Sequence, residues 1–515
     1  MDKRIIIRVL YSKLLSIFLL VGLTACSGGS DNTSSGSGDI KVASGTIIGF
    51  GSVIVNGIEF SRKPGLADDR VKLRFENNTS AREDNLRIGM TVNIRGTINN
   101  ATGTGEYESI EFQPELRGPL NNINTSTNTL TVMGRTVQIA ANTSFDSDIS
   151  GLSDIILQAG NNPELEISGN LDNSSGILIA TRIARKAPNF NTKADKTVQI
   201  KGKITAANVA SGSFAIGTVS VNFAELGSNA PIADITVGSV VEVKGVLNEA
   251  GNVIAANRIE KKNAVDAAVN EIVKLKGTAI GGIDTNNTFT INGPNGAITV
   301  NTAKAIFQKN GAIATVAIVT PGATLEVEGV LRADGSVAAT KVYLEVEKTI
   351  KLEGNALDGA FNFGTQTLTL NGVPVIISTS ARLLDKSSLL PLDPASIVKD
   401  DHLQIIGIFD SSSNKVTASQ IQRTSGRSGV TFIQGPVTAS ASPKLTLIGL
   451  ITVDTSDFGL ATVFGDNRTG TVIKFPGRAD FFAALTTDGF TVVKAKVAIN
   501  GTTMNASEVE LEQPL

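Results

Sequence analysis

The stretch that decides the fold runs from Gly202 to Ile259. It opens as GKITAANVASGSFAIGTVSVNF (202–223) and, after a polar connector, closes as VGSVVEVKGVLNEAGNVIAANRI (237–259). Apolar and polar residues alternate along Val241–Gly245 (VEVKG), which is typical of a β-strand with one buried face. Small and turn-forming residues separate this strand from its neighbours. The stretch therefore predicts a small unit built from short β-strands.

The same unit recurs along the chain. Two landmarks identify the copies: a glycine that opens each copy and an alternating strand that ends in glycine. The opening glycines are Gly45, Gly118, Gly202, Gly277, Gly354 and Gly435, and the strands related to VEVKG are VNIRG (92–96), LEISG (165–169), LEVEG (325–329) and LQIIG (403–407). The copies are spaced by roughly 75 to 85 residues, which is longer than a solenoid repeat and fits small domains in tandem.

We expect the following organisation from these landmarks. The ranges are a signal peptide 1–25, a lipidated cysteine with a Gly/Ser tether 26–40, and β domains 41–113, 114–188, 196–263, 270–347, 348–425 and 429–513. The last copy is the most divergent, because Val497 stands where the other copies have glycine. Such domains, joined by polar junctions, predict a rod or a string of beads.

Each copy predicts five strands with an insert between the third and the fourth. This is the strand order of an OB-like barrel, in which closure removes exposed sheet edges. A small open β-sandwich has the same number of strands, and periodicity alone does not separate the two folds. Asn56-Gly57, between two apolar runs, predicts a type I′ hairpin turn. The expected fold class is all-β, as a tandem array of small barrels or sandwiches.

The N-terminus has the layout of a secretory signal. Basic residues precede the apolar run 14–23, which is about half the length that a membrane-spanning helix needs. Leu23-Thr24-Ala25-Cys26 is similar to the bacterial lipobox, in which the cysteine thiol receives lipid. Cys26 is the only cysteine of the chain. We expect a membrane anchor on Cys26; Ser27 after it is similar to the outer-membrane sorting pattern of Gram-negative cells.

The opening segment GTIIGFGSVIVNGIEF (45–60), with LRIGMTVNIRG (86–96), resembles the repeat of bacterial lipoproteins built from tandem β domains of unknown function. The likeness is closest in the first copy, looser in copies two to five and weakest in the sixth. It implies an anchored protein outside the cytoplasm with no assigned activity. No catalytic residues follow from it.

Candidate residues for chemistry are few. The chain has one histidine, His402, which we interpret as a solvated strand start. Asp146 and Asp148 are the candidates for a metal site, with a polar turn as the alternative. We expect no cofactor and no enzymatic activity. A net charge of −2 also argues against nucleic acid as a partner.

Phenylalanines concentrate in the last copy. They are Phe458, Phe464, Phe475, Phe481, Phe482 and Phe490. The cluster is either the core of an enlarged terminal domain or an exposed binding patch. Phe481 and Phe482, if they lie on a strand, point to opposite faces.

These features predict a non-enzymatic lipoprotein of the cell envelope, a spacer or an adhesion or interaction protein. It faces the periplasm or the cell surface, on the outer membrane if the cell is Gram-negative. Another envelope protein or a glycan is its candidate partner. The alternative is a binding protein for an oligosaccharide, lipid or peptide, which uses the barrel faces or the Phe-rich last domain.

Overall fold

The computed structural model describes residues 42–512, except 51, 74–77, 100–103, 147–148, 150–151, 153–154, 156–161, 173–174, 294, 345–348, 358, 363, 387, 389, 411–412, 425–430, 457–461, 469–471, 488, 490 and 501–502. Within this part the chain is almost entirely β-structure. The same strand order occurs six times along the described residues, and we number the resulting barrels 1 to 6.

The strands of the first three barrels are bounded as follows. Barrel 1 contains β1 (Val42–Phe50), β2 (Val53–Val55), β3 (Ile58–Arg62), β4 (Val71–Leu73), β5 (Asn78–Ala81), β6 (Thr91–Asn99) and β7 (Thr104–Phe112). Barrel 2 contains β8 (Leu116–Asn124), β9 (Thr129–Val132), β10 (Arg135–Asp146), β11 (Glu164–Leu171) and β12 (Leu178–Ala187). Barrel 3 contains β13 (Thr197–Lys203), β14 (Ala206–Asn208), β15 (Ser213–Ile216), β16 (Val219–Asn222), β17 (Val240–Leu247) and β18 (Val253–Lys261).

The remaining three barrels repeat the pattern. Barrel 4 contains β19 (Ile272–Ala279), β20 (Thr288–Gly293), β21 (Gly296–Asn301), β22 (Ile306–Lys309), β23 (Ala312–Ile313), β24 (Thr324–Leu331) and β25 (Val337–Leu344). Barrel 5 contains β26 (Thr349–Asn355), β27 (Phe361–Asn362), β28 (Thr367–Leu370), β29 (Val373–Asp385), β30 (Leu390–Pro391), β31 (His402–Asp410) and β32 (Lys415–Thr424). Barrel 6 contains β33 (Phe432–Ala441), β34 (Lys444–Leu447), β35 (Ile451–Asp454), β36 (Val463–Asp466), β37 (Ile473–Lys474), β38 (Val492–Asn500) and β39 (Thr503–Glu512).

Helices are short and lie mostly in the inserts. The 3₁₀ helices are Glu83–Asn85, Val209–Ser211, Ala224–Asn229, Ile232–Asp234, Val316–Ile318 and Pro394–Ser396, and the α-helix α1 is Arg478–Ala483. In the part of the chain that is described, none of them has the length and apolar content of a membrane span.

The prediction of OB-like barrels is confirmed, and the open sandwich is excluded. In barrel 2, β8 pairs with both β9 and β11, while β10 and β12 pair in parallel, so the sheet closes on itself. Barrel 3 closes in the same way, because its bent first strand pairs with β17 through β13 and with β15 through β14. The inward positions of the alternating strands form the cores, as at Val241 and Val243.

The recurring glycines mark places without room for a side chain. The glycine that ends each alternating strand faces a β-bulge on the last strand of its barrel, and a Cβ at Gly245 would collide with the carbonyl oxygen of Ala255. The opening glycine lies under the hairpin between the second and third strands, so that a Cβ at Gly45 would meet the side chain of Asn56. Asn56 and Gly57 both have positive φ, as the predicted type I′ turn requires.

The expectation of a rod or a string of beads is wrong. Asp39–Leu515 forms one compact unit, because barrels join through their sheets. Barrels 2 and 3 join by β8 and β13, and barrels 5 and 6 by β26 and β33. Barrel 1 joins barrel 4 by a parallel pair of β1 and β19, far apart in the sequence.

A buried carboxylate ties four barrels together. Glu115 follows barrel 1 and is 3% exposed. It accepts hydrogen bonds from Thr91 Oγ1 of barrel 1 (3.0 Å) and the Gly169 amide of barrel 2 (2.9 Å), and it pairs with Lys201 Nζ of barrel 3 at 3.1 Å. Lys201 also donates to Asn295 of barrel 4 at 2.9 Å. Burial raises the pKa of Glu115, and the charge of Lys201 opposes that rise.

The outward polar face of barrel 2 is buried in a second ionic network. Arg182 pairs with Asp146 at 2.6 Å and with Glu166 at 3.0 Å. Arg117 lies 3.1 Å from Glu164 and 3.5 Å from Glu166. Burial raises the pKa of Glu166, but the neighbouring cations, Arg182 first, outweigh it and hold the pKa below its usual range. These charges are compensated where barrel 2 packs against its neighbours.

Replacing Gly245 tests the reason for the glycine landmark. We expect Gly245→Val to lower the free energy of unfolding by about 1–3 kcal/mol, the usual range for overpacking, because its side chain meets the bulged strand β18. Gly281→Val is the matched control, since a Cβ there meets open space. Chemical denaturation of both variants measures the difference, and equal stabilities would contradict the steric explanation.

Removing Lys201 tests the buried junction. We expect Lys201→Met to lower the free energy of unfolding by about 3–5 kcal/mol, because Glu115 is left buried without its cation. The folded pKa of Glu115 lies above its unfolded value, so its ionisation destabilises the fold as the pH rises, and the deficit should shrink at acidic pH. Glu115→Gln in the same chain should recover part of the loss. Chemical denaturation across the pH range measures the loss of unfolding free energy in each variant. A loss that is independent of pH would exclude this role for Glu115.

Candidate functional site

A cavity of about 390 Å³ lies where barrels 1, 2, 4 and 5 meet, with one residue from barrel 6. Small-molecule sites in proteins commonly measure about 300–1,000 Å³. Its lining residues come from segments far apart in the sequence. They are Gly45, Thr46, Ile47, Ile48, Asn56, Ile88, Gly89, Asn170, Leu171, Asp172, Ile179, Thr181, Lys276, Gly277, Thr278, Ile280, Asn292, Gly322, Thr324, Thr349, Ile406 and Arg468.

Two equivalent segments form one wall. β1 contributes Gly45-Thr46-Ile47-Ile48, and β19 with the residue after it contributes Gly277, Thr278 and Ile280. Both begin at the opening glycine of their copy, and the two strands run parallel. Gly89 and Gly322, at the turns before β6 and β24, also line the cavity. The repeat therefore brings the same Gly-Thr-x-Ile pattern to the cavity twice.

The aliphatic residues of the lining are six isoleucines and one leucine, seven of its 22 residues. Ile47, Ile88 and Ile406 are buried residues of the lining, whereas Ile280 is 49% exposed. An apolar side chain with that exposure at the edge of a cavity is available for contact with a ligand. Among the described lining residues none is aromatic.

Polar groups interrupt the apolar wall. Asn56 donates from Nδ2 to the Ser44 carbonyl at 2.9 Å, and Thr181 donates to the Gly89 carbonyl at 2.6 Å. The buried Oδ1 of Asn292 has no hydrogen-bond partner among the described residues. Such an acceptor is available to a donor from a ligand or from water.

Charged side chains in the lining are two cations and one carboxylate. Lys276 is half-buried on β19, and Arg468 is exposed and pairs with Asp466 at 2.6 Å. Asp172 accepts a hydrogen bond from Ser175 Oγ at 2.6 Å. Asp466 offsets the charge of Arg468, and Asp172 is opposite in charge to Lys276.

Another cavity lies beside Glu115 but is too small for a ligand. Its volume is about 20 Å³, which is room for about one water molecule. Lys201, Lys262 and Asn295 are among its lining residues. It belongs to the ionic junction between the barrels.

The Phe-rich segment is largely internal. Phe481 is fully buried on α1, and its ring centroid lies 5.1 Å from that of Phe464 and 5.6 Å from that of Phe475. Phe482 is 5.9 Å away and packs against the same core. Both residues lie on a helix and not on a strand, so the argument about opposite faces does not apply. This geometry favours the core of barrel 6 over an exposed patch; Phe458 and Phe490 lie outside the described residues.

Asp146 is held in the ionic network of barrel 2. Its carboxylate accepts hydrogen bonds from Arg182 Nε and Nη2, and Arg87 of barrel 1 lies 3.8 Å away. Asp148 lies outside the described residues. Across the described ranges, no three His, Cys, Asp or Glu side chains converge as they would around a metal ion.

His402 is half-buried at the start of β31, contrary to the expectation of a solvated strand start. Its ring nitrogens lie 3.0 Å from Glu353 Oε1 and 3.1 Å from Asn355 Oδ1. Burial raises the pKa of Glu353, but the hydrogen bond with His402, the charge of Lys351 and the hydrogen bond from Gln404 outweigh it and lower the pKa to about 2. Leu23, Thr24, Ala25 and Cys26 of the lipobox lie outside the described residues.

The repeat is similar to a known protein family. Three of the barrels match the domain of unknown function DUF5666. The matched residues are 117–184, 201–260 and 276–343, in barrels 2, 3 and 4. The resemblance noted from the sequence is closest in the first copy, whereas these matches fall on the second to the fourth. No curated protein matches the chain.

The cavity combines DUF5666 matches with barrels outside them. Asn170 to Thr181 lie in the first match, and Lys276 to Thr324 lie in the third. Its other walls come mainly from barrels 1 and 5. None of its residues is a candidate in the sequence, because each single copy shows only strand residues. The repeated Gly-Thr-x-Ile pattern is a signal, but it reads as barrel structure until the two copies are seen side by side.

Proposed function

We propose that this protein is an exported bacterial lipoprotein whose compact body binds a small ligand in the cavity between barrels 1, 2, 4 and 5. The observation that carries the proposal is the cavity itself, about 390 Å³ in volume, with both apolar and polar residues in its lining. That combination is the usual one for a small-molecule site. Binding, and not catalysis, is the proposed activity.

The geometry favours binding over an extended spacer. A spacer gains length from domains arranged end to end, whereas Asp39–Leu515 is one compact unit. The contacts between barrels are also held by buried ion pairs such as Glu115–Lys201, which are costly to separate once formed. A fixed arrangement of barrels preserves the shape of a cavity between them.

The location follows from the N-terminal sequence. Cys26 in its lipobox context is the proposed site of the lipid anchor, and Ser27 supports sorting to the outer membrane in a Gram-negative cell. Anchoring by more than one acyl chain is stable, while a single chain binds membranes reversibly. The body then lies in the periplasm or at the cell surface, where envelope metabolites or glycans reach the cavity.

Filling the cavity tests the binding proposal. We expect the body Asp39–Leu515, incubated with a small-molecule extract of the bacterial envelope and washed, to release a compound that mass spectrometry detects after denaturation. Ile280→Trp should abolish its retention, because the indole occupies the cavity. Ile306→Trp is the matched control, since Ile306 is a similarly exposed isoleucine of barrel 4 outside the lining. Equal retention by both variants, or no retention by the unchanged body, would refute the proposal.

Replacing the cysteine tests the anchor. We expect Cys26→Ser in the full chain to lose incorporation of an alkyne-labelled fatty acid and to leave the membrane fraction. Ser27→Ala is the control and should keep both properties, because the thiol is intact. Fractionation and labelling measure the two outcomes. Membrane association that persists without label would show another mode of attachment.

A further inference from the structure

We propose that the ligand of the inter-barrel cavity is an uncharged saccharide. This inference rests on the proposed binding function and names the chemical class of its ligand. Uncharged polar side chains are the largest group in the lining: five threonines and three asparagines, against seven aliphatic residues, four glycines and three charged residues. A saccharide offers a hydroxyl group on most of its carbon atoms, so it matches a lining of this composition.

The threonines of the two Gly-Thr-x-Ile segments point away from the cores of their barrels. Thr46 on β1 is followed by Ile47, and Thr278 on β19 is followed by Ala279, and both of these apolar residues lie in barrel cores. Successive residues of a strand point to opposite faces, so the two threonines point outward. Both belong to the lining of the cavity between the barrels. The repeat therefore brings two outward hydroxyl groups to the same space.

A third threonine and an asparagine extend this set of polar side chains. Thr324 lies directly opposite Thr278 in the pairing of β24 with β19. Directly opposed residues have Cβ atoms about 4.5–5.5 Å apart, so the two hydroxyl groups can bind neighbouring oxygens of one ligand. Asn170 on β11 adds a side-chain amide from barrel 2. Barrels 1, 2 and 4 thus each contribute uncharged polar groups.

The hydrogen-bonding capacity of these four side chains is unused within the protein. Among the residues that the structure describes, their hydroxyl and amide groups have no hydrogen-bond partner. A hydroxyl group donates and accepts hydrogen bonds, as does a side-chain amide. A ligand that displaces ordered water from such groups loses affinity unless it restores the hydrogen bonds of that water. The hydroxyl groups of a saccharide restore them, because they also donate and accept.

The charged side chains of the lining are already engaged. Arg468 pairs with Asp466 at 2.6 Å, and Asp172 accepts a hydrogen bond from Ser175 Oγ at 2.6 Å. Lys276 also has an interaction within the chain. An uncharged ligand leaves these interactions in place and brings no charge that would need a new partner.

Partly exposed isoleucines supply the apolar contacts. Ile48, Ile179 and Ile280 belong to the lining and are not fully buried. The C–H groups of a sugar ring gain from leaving water when they pack against such side chains. Among the described lining residues no aromatic ring is present for stacking. Hydrogen bonds therefore orient the saccharide, and the isoleucines cover the carbon atoms of its ring.

Serial dilutions of the envelope extract test the inference on the body Asp39–Leu515. Mass spectrometry of the compound released on denaturation gives the dilution at which each protein is half-filled. The double substitution Thr278→Val and Thr324→Val should require extract about tenfold or more concentrated, because hydrogen bonds to the ligand are lost. Thr290→Val with Thr299→Val is the matched control, since these threonines are also directly opposed in barrel 4 but lie outside the lining.

The outcomes separate the ligand class from the binding function. Mass spectrometry of the released compound, before and after acid hydrolysis, should show an uncharged saccharide. A released compound without sugar units, or a sugar that carries carboxylate or phosphate groups, would overturn the class and leave the binding function standing. Equal retention by the two double variants would overturn the role of the threonine pair. If the unchanged body retains nothing, the binding function fails and this inference fails with it.

A second substitution covers a double variant that does not fold. Thr46→Val removes one hydroxyl group from barrel 1, and valine is well suited to a β-strand. It should shift the half-filling dilution in the same direction as the double substitution. Thermal unfolding of each variant checks that the body is intact. An intact Thr46→Val body that retains as much compound as the unchanged body, at every dilution, would contradict recognition by the outward threonines.

Discussion

The arrangement of the barrels depends on one buried ion pair. Glu115 has left water, and a buried carboxylate is tolerated only where donors and a cation replace its hydration. Its donors come from Thr91, Gly169 and Lys201, on three different barrels, and Lys201 reaches Asn295 on a fourth. Glu115, which lies between barrels 1 and 2, is thus part of a junction that positions four barrels.

The compensation of buried carboxylates by cations also explains why the chain is compact. The alternating strands put polar residues on the outer surface of each barrel, and an isolated barrel would expose them to water. Instead Glu166, Glu242 and Glu326 are nearly inaccessible and meet cations. In each of these pairs both residues belong to one barrel, so the pairs compensate the burial of the carboxylates where the barrels pack together. The cavity is the space that remains where four curved surfaces cannot meet completely.

The candidate function belongs to the assembly and not to the repeat. Buried apolar side chains fill the interiors of the barrels, so a single copy offers little space for a ligand. The cavity instead uses the rims of several copies, including the two Gly-Thr-x-Ile segments of β1 and β19. Duplication of a small domain supplies equivalent segments, and their parallel pairing brings them together. Copies of one small domain can therefore form a cavity by the way they are combined.

The sequence by itself determined a repeated all-β unit, and the choice between a closed barrel and an open sandwich needed the strand pairings of the structure. Alternation showed which strand face is apolar, Asn56-Gly57 showed a hairpin, and the glycines marked contacts too close for a Cβ, because these are local properties of the backbone. Only the tertiary structure decided that β1 pairs with β19, that α1 carries Phe481, and that Ile280 and Lys276 line one cavity. Periodicity reports a residue's orientation within its own barrel. It carries no information on which distant segment packs against the outer face of a barrel. That packing forms the cavity.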